Sequence, residues 1–73
     1  MATERDVWEV LFYSEKFAGP GGDGIHVRRF KAEKDARIFA GTVRAPYGDG
    51  TPDVQHARVS SRLYARWVRE GQV

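Results

Sequence analysis

The chain contains no cysteine. Disulfide staples and thiolate metal sites are thereby excluded, and the composition fits a reducing compartment. Histidine is almost as scarce: His26 and His56 are the only two, and neither has a zinc-ligand pattern around it. No stretch approaches the ~20 apolar residues that span a bilayer, so no membrane partner is expected. The charged start, Met1 to Asp6, lacks the apolar run of a secretory signal. These absences together lead to the expectation of a cytoplasmic protein.

Catalytic signatures are missing as well. Ser14, Ser60 and Ser61 stand outside any nucleophile motif, and no carboxylate is marked by its neighbours as a general acid or base. Gly19, Gly21 and Gly24 match GxGxxG. A dinucleotide site needs a helix after that loop, whereas strand-forming Ile25-His26-Val27 follows here, and no Lys-Ser/Thr pair completes a phosphate loop. The glycines therefore read as a hairpin loop. Neither enzymatic activity nor a cofactor is expected.

What the chain does have is aromatic residues and arginine. With 73 residues it reads as one domain, residues 1–73, that needs nearly all its large apolar side chains for a core. Four Phe, three Tyr and two Trp supply much of it. The net charge of +2 is unevenly spread: residues 1–24 hold five acids and two bases, residues 25–73 ten bases and five acids. Nine of the 12 basic residues are arginine, whose planar donor fork suits phosphate and carboxylate. A GC-rich genome produces the same bias without any such role.

Val7-Trp8-Glu9-Val10-Leu11-Phe12-Tyr13 is β-branched and aromatic on both faces, which predicts a central strand. The Gly19–Gly24 stretch breaks it, and Ile25–Phe30 returns as a second, short strand. Over residues 31–43, Ala32, Ala36, Phe39, Ala40 and Val43 share a stripe roughly 100° wide, which predicts a helix ended by Gly41. Ile38 points away from that stripe.

Residues 51–71 can be read two ways. Thr51 as cap, Pro52 at the first helical position and Gly71 past the end would bracket one long helix. The alternation of Ala57, Val59, Ser61, Leu63, Ala65 and Trp67 instead predicts a long strand, bent near Ser60-Ser61, and this reading is preferred. The expected fold is α+β: an antiparallel sheet of three or four strands with one helix on one face, in ββαβ or ββαββ order. The expected core comprises Trp8, Val10, Phe12, Val27, Ala36, Phe39, Ala40, Val59, Leu63 and Trp67.

Arg58, Arg62 and Arg66 recur every fourth residue. A strand would align them with Tyr64 on one face, whereas a helix would bring in Arg69 and turn Tyr64 away. Arg28, Arg29 and Lys31 would extend the surface if the second strand lay beside the last. The expected binding residues are thus Arg58, Arg62, Tyr64, Arg66, Arg69, Arg28 and Arg29. Their partner is a polyanion, with nucleic acid placed narrowly ahead of an acidic protein surface. Chains of this size and composition are of the kind that phages and mobile elements encode as regulators or inhibitors, which frames the protein-binding alternative. The bland reading is a solvated face whose arginine stems cover apolar surface. A free sheet edge also offers a second copy somewhere to pair.

Overall fold

The computed structural model describes residues 3–73; Met1 and Ala2, part of the charged start read above, lie outside the described residues. The elements run β1 (Glu4–Gly19), β2 (Gly22–Phe30), α1 (Glu33–Ala40), β3 (Val54–Ser60) and α2 (Ser61–Arg69). The architecture is α+β, with a three-stranded antiparallel sheet in the order β2-β1-β3. The expected ββαβ order is present, followed by a second helix that the strand reading of residues 57–67 had not provided for.

β1 is central, as its two apolar faces require, and both strands are longer than predicted. Trp8 pairs with Phe30 and Tyr13 with Ile25 on one side, while Glu4 pairs with Ser60 and Val10 with Val54 on the other. The register shifts between Tyr13 and Ala18, close to the hairpin turn, where Gly21 and Gly24 take positive φ of 87° and 83°. At Gly24 a side chain would also strike the Tyr13 ring, so only glycine fits there.

The two faces of the sheet are covered by different helices. Trp8, Val10 and Phe12 point to one face, with Phe30 and Val54 beside them in register, and α1 lays Ala36, Phe39 and Ala40 on this set. The alanines allow close approach, and Val10 and Ala36 are fully buried. α1 is shorter than predicted, but Gly41 caps its C-terminus, Glu33 and Asp35 occupy its first turn, and Ile38 is 60% exposed. On the opposite face Val7 is completely buried. That face is crossed by α2, whose Tyr64 lies under Arg5 and whose Trp67 lies under Arg29. Of the expected core, Val27, Val59, Leu63 and Trp67 belong to this second face and are half-buried.

The change from strand to helix at Ser60-Ser61 has a local cause. Ser60 has extended φ/ψ, and its side chain accepts a hydrogen bond from the Leu63 N–H at 3.1 Å, an N-cap. Ser61 N–H donates to Thr3 O at 2.9 Å, anchoring the first turn to the start of β1. Val54 and Val59 keep the preceding segment extended, while Leu63, Ala65 and three arginines favour helix beyond it. The helix closes on Gly71, φ 74°, with Gly71 N–H donating to Val68 O and Gln72 N–H to Trp67 O. That pair of bonds is a Schellman motif.

Candidate functional site

Within α2, Leu63, Tyr64 and Trp67 turn toward the sheet, and Arg62, Ala65, Arg66 and Arg69 turn to solvent. The positions i, i+4 and i+7 form one stripe along a helix. Arg66 Nε lies 3.3 Å from Glu70 Oε2, a solvent-exposed pair one turn away. Arg62 and Arg69 have no ion pair or ring contact among the described residues. Both side chains are exposed to solvent. Arg66 and Arg69 occupy the last turn, where the helix dipole favours positive charge and helps hold the cluster in place.

The remaining predicted residues are dispersed. Arg58 belongs to β3 and projects on the α1 side of the sheet, where its Nε lies 3.6 Å from Asp6 Oδ1. The sheet separates it from α2, so the expected row through Arg58, Arg62 and Arg66 is broken by the cap at Ser60. Tyr64 does not share the arginine face, because the helix turns it under Arg5, 5.8 Å from the guanidinium carbon. Arg29 is committed internally: its Nε donates to Glu9 Oε2 at 3.0 Å and its guanidinium sits 4.2 Å above the Trp67 ring. Arg28 lies over Phe30 and Phe39 at 5.3 and 5.0 Å on the α1 side.

β2 does not lie beside β3, since β1 separates them. The C-terminal end of α2 nevertheless comes close to the end of β2. α2 starts at the β1 terminus and crosses toward β2, and the segment after it, Gly71–Val73, lines a cleft of about 300 Å³ with Arg28, Arg29 and Lys31. Asp35 is the one carboxylate side chain in that lining. The end of the arginine helix and the end of β2 are thus neighbours.

A second charged cluster went unread in the sequence. His56 stacks on Trp8 with ring centroids 5.1 Å apart and places Nε2 2.9 Å from Asp6 Oδ1. Its members are 50 residues apart in the chain, and only the β1–β3 register joins them. Among the described residues no group of His, Cys, Asp and Glu is placed to hold a metal ion, and no helix is long and apolar enough to cross a membrane. Comparison with family models, with curated proteins and with solved structures gives no match.

Proposed function

We propose that this protein is a non-enzymatic binding module that engages a polyanion, nucleic acid in the first place, through the outward face of α2. The observation that carries the reading is the set Arg62, Arg66 and Arg69 on one exposed stripe, with Arg62 and Arg69 unpaired among the described residues. Arg62 to Arg69 spans about 10 Å along the helix, a length over which one DNA strand presents about three phosphates. Ala65 lies between the arginines and presents no bulk, so a phosphate backbone can approach. Lys31, across the cleft at the helix end, continues the positive surface, whereas Arg28 lies over Phe30 and Phe39 on the α1 side. Arg29 and Tyr64 act from behind, holding α2 on the sheet, and Arg58 is a separate cation on the other face.

The test is titration of labelled duplex DNA, duplex RNA and single strands, read by fluorescence anisotropy over a salt series. Affinity should fall with a log–log slope of about −0.7 to −0.9 per phosphate contact. The R62E/R69E variant should lose binding while keeping its circular dichroism. A folded protein that binds none of these at low salt would sink the nucleic-acid reading.

One observation favours a protein partner instead. Val68, next to Arg69 on α2, is 40% exposed, an apolar contact that a phosphate backbone does not use. On that reading the protein is an accessory or inhibitor of the phage or mobile-element type, with the arginines meeting an acidic patch. A pull-down with and without nuclease separates the two: a partner retained after nuclease and lost on V68D belongs to the second reading.

A further inference from the structure

β2 forms one edge of the sheet, and the direction of its free backbone groups can be deduced. The Tyr13 N–H donates to Arg44 O at 2.9 Å, away from β2. Tyr13 and Ile25 are directly opposite, so they form a non-hydrogen-bonded pair of the β1–β2 ladder. The backbone groups of Ile25, and by alternation those of Val27 and Arg29, therefore point outward to the open edge. The side chains of these same residues lie on the α2 side of the sheet. There α2 covers only the end near Arg29, and Leu11, opposite Val27, is 42% exposed.

We propose that this edge pairs antiparallel with β2 of a second copy, about a two-fold axis through His26. His26 is the midpoint of Gly22–Phe30, and Ile25–Phe30, beyond the turn at Gly24, supplies the regular part of the ladder. In this register Ile25 faces Val27 of the second copy, and each such pair exchanges both backbone hydrogen bonds. Their side chains extend the open apolar surface begun by Leu11. Asp23 comes to the end of the ladder beside Arg29 of the second copy, so opposite charges meet at both ends. Moving the axis to residue 28 or 29 would set arginine against its own copy, which costs stability.

In the isolated chain, Asp23 Oδ1 accepts from the Ile25 N–H at 3.0 Å and shields that donor. Pairing replaces this bond with one from Ile25 N–H to the Val27 carbonyl of the second copy, and Asp23 turns to Arg29. At the other end Phe30 meets Gly22 of the second copy, which has no side chain to obstruct the nearby Gly71–Val73 segment. The other edge is less suited. β3 paired about its midpoint, Ala57, would set His56 against Arg58, and both already share Asp6.

The register makes a sharp test because the chain has no cysteine. Residue 26 would face its own copy in a non-hydrogen-bonded pair, with Cα atoms about 4.5 Å apart, within the range that a disulfide bridges. Under mild oxidation H26C should give a disulfide dimer at least about tenfold faster than the exposed control I38C, a difference of ~1.4 kcal/mol in barrier. Equal rates for the two would overturn the register. Independently, analytical ultracentrifugation of the unmodified protein should show a reversible monomer–dimer equilibrium. V27P removes an outward N–H and none that bonds β1, so it should weaken the dimer about tenfold or more. A protein monomeric up to its solubility limit, or a dimer unaffected by V27P, would overturn the proposal.

Discussion

Arg29 and Arg62 show how differently the same side chain is used in this molecule. Arg29 is held between Glu9 and Trp67 and joins β2 to α2. R29A should destabilise by about 1–3 kcal/mol, the usual range for a charged hydrogen bond plus a ring contact. R62A, with no partner among the described residues, should stay within about 0.5 kcal/mol. Urea unfolding of both variants checks the contrast, and equal losses would show that Arg62 is structural too. At this scale the sequence was informative about residue type but not about role. Nothing in Arg28-Arg29 shows that one lies over Phe39 and the other over Trp67, because that follows from pleating and from which helix covers which face. Val7 went unread for the same reason: its burial depends on a helix that the strand reading did not supply.

At the scale of elements, the junction at Ser60 decides where the arginines go. S60A should cost about 1 kcal/mol, the typical value of an N-cap, and S60G only a few tenths. Thermal melts of the two variants measure the difference. V7A removes a fully buried side chain beneath α2 and should cost about 2 kcal/mol, lowering Tm by ~10 °C in a domain of this size. The stop of α2 was legible in Gly71, and the start was not. Ala57 and Val59 alternate because they are strand, whereas Leu63 and Trp67 are four apart on a helix, and the two spacings merge into one apparent period of two. Thr51-Pro52 resembled a helix start, yet Val54 and Val59 are β-branched and keep the chain extended after it. The central strand, the hairpin and α1 were all readable, because each carries its pattern within a few turns or pleats.

At the scale of the whole molecule, the proposed two-fold axis is perpendicular to the sheet. Both α2 helices would then lie on the same side of a six-stranded sheet. The salt dependence of polyanion binding should therefore be about twice as steep for the dimer as for V27P, since the slope counts phosphates neutralised. Anisotropy titrations above and below the dimerisation midpoint read this directly.

The bond from Ser61 N–H to Thr3 O has a consequence for the order of folding. β1 and β2 are neighbours in sequence and can zip from their turn, but Glu4 meets Ser60 only after nearly the whole chain has been gathered. Such distant closures are slow and come late. Docking of β3 and α2 onto the hairpin is therefore expected to come late, and a state in which β3 has detached no longer holds α2 against the sheet. On the proposed function, a bound polyanion would select the fully closed chain and stabilise it by mass action. Amide exchange in β3 and α2 should accordingly slow on binding much more than exchange in the β1–β2 hairpin.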